Sequence, residues 1–246
     1  IINSFNTYFY DSNCCLEKET FLMKQDLVIV VSKYKLWICI IYVMLLSIIF
    51  PLAYADEIGG VIDPYSSLLS ILFFSDLFYL EILEKRYEVI KLKSKDVLIG
   101  LVKRRFFIAW LFVELLALVQ YSLYLMKVNN NIGKMDNLSM LIITLIATGV
   151  SIAFFGYLTV VLVNITKKIG IGVGIAVLIW FLLNSTIGMN IFKSANIFAF
   201  CEFFTKDLDY SWVIGKLIGA IIVLFGMTVF KSSLIYYKNE VKRYDN

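Results

Sequence analysis

The sequence predicts an all-α integral membrane protein, and three observations carry that prediction. The 246 residues are 60% hydrophobic and only 17% charged, and the mean hydropathy is +0.82. A soluble domain would leave too much of that apolar surface in water. Apolar stretches about the length of a bilayer crossing recur along the chain. They are continuous rather than alternating, which fits helices and not a transmembrane barrel. Two prolines and 13 glycines leave little room for a linker. The chain therefore divides into an N-terminal tail with an interfacial helix (residues 1–35) and one six-span domain (residues 36–246).

Each element has its own signal. In residues 16–35, Leu16, Phe21, Leu27, Val28, Val31 and Tyr34 alternate with Glu17, Lys18, Glu19, Lys24, Gln25, Asp26 and Lys33. That pattern predicts a helix lying at the membrane interface. Residues 36–55 are a charge-free run, with Trp37 as an interface anchor and Pro51 near the outer end. Asp56, Glu57 and Asp63 follow without a cation, as an outer loop would. The second span is expected over 65–83, containing Asp76 and closed by Glu81.

Residues 84–105 hold eight of the 23 Lys and Arg residues. Tyr87, Ile90, Val97, Leu98, Leu101 and Val102 fall near one face at helical spacing. Ser94 reads as an N-cap, with Asp96 near the positive end of the helix it starts. The stretch thus reads as two helices, one ending near Leu92 and one running into the third span. The remaining spans are expected over 106–126, with Glu114 and Gln120 inside, and over 138–164, 169–187 and 213–236. Gly170 and Gly174, and again Gly215 and Gly219, lie four apart, a spacing that permits close helix approach. Residues 188–212 mix Phe192, Ile197, Phe198, Phe200, Phe203 and Phe204 with charges, and predict short re-entrant or interfacial helices on the outer side.

Orientation follows from the cations. With both termini, the 84–105 stretch and Lys167-Lys168 inside, 18 basic residues are cytoplasmic. Lys127, Lys134, Lys193, Lys206 and Lys216 remain outside. The excess predicts both termini in the cytoplasm.

Several chemistries are disfavoured. The chain has no His and only four Cys, Cys14, Cys15, Cys39 and Cys201, with no CxxC pair. His-based catalysis, a metal centre and structural disulfides are not expected. No GxxxxGK[ST] loop exists, and Gly170-x-Gly172-x-Gly174 lies within an apolar span, so the chain has no ATPase of its own. The first residue is Ile1, and Met23 offers an alternative start. Asp76 and Glu114 are costly in lipid and are expected to face protein or water. With Gln120 and Asn184 they are candidates for a translocation path or a permease interface. The alternative is structural hydrogen bonding to Ser75, Gln120, Tyr121 or Asn184.

This layout resembles the permease subunits of type-2 ABC exporters. The local likeness lies in Glu84-Lys85-Arg86-Tyr87-Glu88, then Lys91, Ser94-Lys95 and Lys103. Val89-Ile90 stand where many members carry Gly-Thr. The resemblance implies an elbow helix before the first span, a cytoplasmic coupling helix between spans two and three, and re-entrant helices before the last span. It implies that Glu84, Lys85, Arg86, Tyr87, Glu88, Ile90 and Lys91 contact a separate cytoplasmic ATPase in two copies, which binds ATP and Mg. A second permease copy or a homologue, in a bacterial plasma membrane, would complete the exporter. No nucleic acid is expected as a partner. The aromatic and aliphatic spans suit a hydrophobic or amphipathic substrate, such as an antimicrobial or toxin peptide. The alternatives are a non-transporting immunity or sensor protein, or export of a lipid or glycan precursor. A membrane-embedded protease is disfavoured, since Asp76 reads as the one Asp deep in a span.

Overall fold

Helix boundaries follow local chemistry along the whole described chain, which in this computed structural model comprises residues 23, 26–50, 52, 57–77, 95–128, 137–200 and 210–244. The helices are α1 (Lys33–Ile49), α2 (Ile58–Phe74), α3 (Lys95–Lys127), α4 (Asn137–Thr166), α5 (Ile169–Asn184), α6 (Thr186–Phe192) and α7 (Val213–Tyr244). Short 3-10 turns occupy Lys193–Ala195 and Tyr210–Trp212. Residues 26–30 form a further helical turn ahead of α1, and no strand occurs among the described residues.

Helix α1 opens at Ser32, whose side chain accepts from the Lys35 amide at 3.4 Å. It ends at Ile49, short of the expected Ala55. The cause is Pro51: the residue before a proline is pushed out of the helical region, and Phe50 is extended, with φ −104° and ψ 91°.

Helix α2 departs most from expectation. It begins at Ile58 rather than Tyr65, so Asp63 and Pro64 lie inside it. Asp63 is therefore not part of an outer loop, and it is fully buried. Twelve of the 17 residues of α2 are buried, and it packs on α3, α4 and α5, which makes it the hub of the bundle. Its interior hydroxyls are satisfied within the helix. Ser67 donates to the Asp63 carbonyl and Ser70 to the Ser67 carbonyl, each at 2.7 Å.

Close approach inside the bundle is set by four glycines in particular. A Cβ on Gly156 of α4 would lie 2.8 Å from the Phe74 ring. Gly172 of α5 sits against the backbone of Val163, where a Cβ would come within 2.7 Å. Gly170 and Gly174, the pair singled out by spacing, face open space instead. Gly215 of α7 lies against the Asn196 carbonyl and Gly219 four residues on against Ile197, so this pair admits the turn at 196–199 rather than a facing helix.

Between α5 and α6 the chain bends by 72°. Ser185 makes the break: its hydroxyl donates to the Leu182 carbonyl at 2.7 Å and accepts from the Gly188 amide at 3.1 Å. Lys193 then adopts φ 47°, and residues 196–200 turn into the core rather than along an interface. Asn196 fixes that turn by donating to the Leu183 carbonyl at 2.7 Å and accepting from the Phe198 amide at 3.0 Å. Phe198 stacks on Phe155 with centroids 5.4 Å apart.

Among the described residues, three helical segments are long and apolar enough to cross a membrane: Gly100–Lys127, Leu138–Thr166 and Tyr210–Thr228. The bent α5–α6 pair makes a fourth if taken as one span. At 17 residues each, α1 and α2 reach about 25 Å, short of the ~30 Å hydrocarbon core. Large apolar side chains point outward, including Ile40, Ile41, Met44 and Ile48 of α1 and Ile221, Leu224 and Phe225 of α7. Such faces belong in lipid. The protein is a membrane-embedded helix bundle.

Candidate functional site

The four polar residues expected to mark a path do not form one cluster. Asp76 follows the C-terminus of α2 and pairs with Lys35 of α1 at 2.6 Å. Lys35 also donates to the Phe73 carbonyl at 3.2 Å. That partner lies 41 positions away and is none of Ser75, Gln120, Tyr121 and Asn184, the partners expected from sequence. Gln120 of α3 is buried, and its Nε2 finds no hydrogen-bond partner among the described residues. Asn184 is exposed at the end of α5. Glu114 stands in the middle of α3, close to the polar centre that the structure does form.

That centre is Asp63, Ser151 and Lys216. Three helices deliver one side chain each: α2 Asp63, α4 Ser151 and α7 Lys216. The Lys216 ammonium lies 2.6 Å from Asp63 Oδ2 and 2.6 Å from Ser151 Oγ. All three residues are buried. An unpaired charge at this depth would be very costly, so the cation and anion fix each other's position. Lys216, expected among the outer cations, is instead a buried residue of the bundle. The face of α4 that carries Ser151 also carries Thr144 and Thr148 at helical spacing, both buried. Their hydroxyls and Asp63 Oδ1 are sealed from solvent without a hydrogen-bond partner among the described residues. The bundle thus has a polar seam between α2 and α4, closed on one side by Lys216.

Ser151 and Lys216 have the separation of a Ser–Lys dyad, but the chemistry differs. With the Asp63 carboxylate on the same ammonium, Lys216 donates to Ser151 and does not take its proton. Ser151 is also fully buried. Asp63 and Asp76, each matched to its own lysine, do not make a paired-aspartate centre. Asp63 does correct one expectation: Asp76 is not the deepest Asp, since Asp63 lies wholly inside.

Beside this centre runs a groove of about 490 Å³ formed by α3, α4 and α7. Trp110 and Glu114, one helical turn apart on α3, form one wall. Trp110 donates to the Gly149 carbonyl of α4 at 2.8 Å. Glu114 lies within electrostatic reach of both Asp63 and Lys216.

A second charged cluster ties the chain ahead of α1 to the start of α3. Arg105 donates to Asp26 at 2.9 Å, and Arg104 pairs with the other carboxylate oxygen. Asp26 is buried, while Leu27, Val28 and Ile29 are exposed. The polar side of this turn faces protein and its apolar side faces outward. Glu84, Lys85, Arg86, Tyr87, Glu88, Ile90 and Lys91 lie outside the described residues, as do Ser94 and residues 16–22. Lys103 of α3 is exposed.

No family model, curated protein or solved structure matches the chain.

Proposed function

We propose that the chain is the permease subunit of an ATP-driven exporter of the type-2 ABC class. The observation that supports this most is the bent α5–α6 pair, followed by the inward turn at 196–200 and the last long helix. This is the order expected of short outer re-entrant helices before a final span. On this reading α1 and α2 are the first two of six spans, each shorter than average and accommodated by local thinning of the bilayer. Residues 16–35 form the elbow, anchored through Asp26 to α3. Both termini are cytoplasmic, by the distribution of Lys and Arg. Residues 84–92 dock on a separate cytoplasmic ATPase that binds ATP and Mg, and a second permease copy completes the complex. The substrate is hydrophobic or amphipathic, a peptide above all, in keeping with the apolar helix faces.

The test uses the docking stretch. Tyr87→Ala combined with Glu88→Lys keeps the loop basic, so membrane insertion and orientation persist. It removes the aromatic anchor and inverts one charge, the kinds of contact that dominate small interfaces. The doubly changed permease should lose its ATPase in pull-downs. Normal ATPase retention and transport would reduce residues 84–92 to an orientation signal.

A further inference from the structure

We propose that the groove between α3, α4 and α7 is a binding site for a cationic amphiphile, whose positive head pairs with Glu114 and whose chain lies along the apolar walls. The groove's volume of about 490 Å³ is that of a small-ligand site (~300–1,000 Å³). Its walls are apolar, with Ile146 and Val150 on α4 and Val223 and Leu224 on α7. Glu114 is the one ionisable side chain among its lining residues. Glu114 Oε2 is sealed from solvent and has no hydrogen-bond partner among the described residues.

The nearby cation does not meet that need. Lys216 directs its ammonium to Asp63 and Ser151, although its field reaches Glu114. A carboxylate in an apolar, lipid-level groove calls for a positive partner or a proton. An ammonium supplies charge and donors together, and a charge-assisted hydrogen bond is about twice as strong as a neutral one. Trp110, on the same face of α3, places an aromatic ring beside the carboxylate, and such rings attract cations. At Gly149 a Cβ would lie 3.4 Å from both Glu114 Oε2 and the Trp110 ring. Glycine there lets α4 pack close to the carboxylate and the ring. This site stands on its own geometry and does not depend on the transport reading.

The test is equilibrium binding of radiolabelled dodecylamine to the full chain in lipid nanodiscs, with empty nanodiscs as the partition background. Saturable binding above background is expected. Glu114→Gln keeps shape and removes charge, and should weaken binding roughly tenfold to a hundredfold, the range for one lost charge-assisted hydrogen bond. Ala220→Phe fills the groove from α7 with Glu114 intact, and should abolish saturable binding. On the unaltered protein, 1-dodecanol should fail to displace the amine. Binding no greater than in empty discs would overturn the site. Equal competition by dodecanol, or equal affinity in Glu114→Gln, would reduce the groove to an acyl-chain slot and overturn the role of the charge.

Discussion

Replacing Lys216 by Met is the sharpest probe of the bundle's polar centre. Methionine keeps most of the length and apolar stem of lysine and removes the ammonium. Asp63, fully buried, then has no counter-charge. At 2.6 Å and an effective dielectric constant of about 20, the pair's gross attraction is roughly 6 kcal/mol. Desolvation of both ions offsets much of this, so the net value of the pair against an apolar replacement is small. Removing one member is different, because the other's desolvation is no longer compensated: the expected loss is about 3–5 kcal/mol. The double variant Asp63→Leu with Lys216→Met should recover most of that loss, since replacing a buried pair by apolar groups is often neutral or stabilising by about 1–4 kcal/mol. Reversible unfolding in mixed detergent–SDS micelles, followed by Trp fluorescence, reads all three proteins. The reasoning fails if Lys216→Met unfolds within about 1 kcal/mol of the parent, or if the double variant is weaker than Lys216→Met.

Four other outcomes follow. Gly215→Ala should lower stability by more than about 2 kcal/mol in the same unfolding assay, because the Asn196 carbonyl would stand 2.2 Å from the new Cβ. Gly174→Ala, with nothing within 4 Å, should be neutral or stabilising by up to about 1 kcal/mol. In a background without cysteines, a membrane-impermeant thiol reagent should label Glu57→Cys on whole cells and spare Lys103→Cys; the reverse pattern would invert the orientation. Asp26→Ala should raise hydrogen exchange at the amides of residues 27–31, because it removes the carboxylate that ties this turn to Arg104 and Arg105; unchanged exchange would mean that the turn is held by Val30 in the core instead.

What the sequence disclosed and what it concealed divide along physical lines. Long apolar runs announce helices because length and hydropathy are local, and α4 falls within two residues of its expected span at either end. Gly215 and Gly219 were legible because one helix face repeats every three to four residues. Asp63 was not, because one carboxylate beside Pro64, after Gly59-Gly60, carries the local signature of a loop. Its partner lies 153 positions away, and no local pattern pairs residues so distant. A usable signal did exist: Lys216 interrupts an apolar stretch as the one cation from Val213 to Phe230. A buried cation in such a stretch calls for an anion from another helix. Lys35 and Asp76 repeat the lesson at the end of α2. The groove beside Glu114 was beyond sequence, since three helices must be positioned before a cleft exists.

Helix α3 also has a mechanical side. Its 33 residues make a rod of about 50 Å, roughly 20 Å longer than the hydrocarbon core. Its apolar, span-like part begins only at Gly100, and the 11 residues before Phe106 extend some 16 Å along the helix axis. A rod of this length acts as a lever. A 10° tilt about its membrane-level stretch sweeps the Lys95 end through roughly 3 Å and turns Trp110 and Glu114 with it. The rod contains no proline and a single glycine, Gly100, which lies near the Lys95 end. Without a Cβ, Gly100 is the most permissive backbone position of the rod. Gly100 stands between the Lys95 end of the rod and the part that lines the groove. The stiffness at position 100 thus sets how much of an applied motion arrives at Glu114.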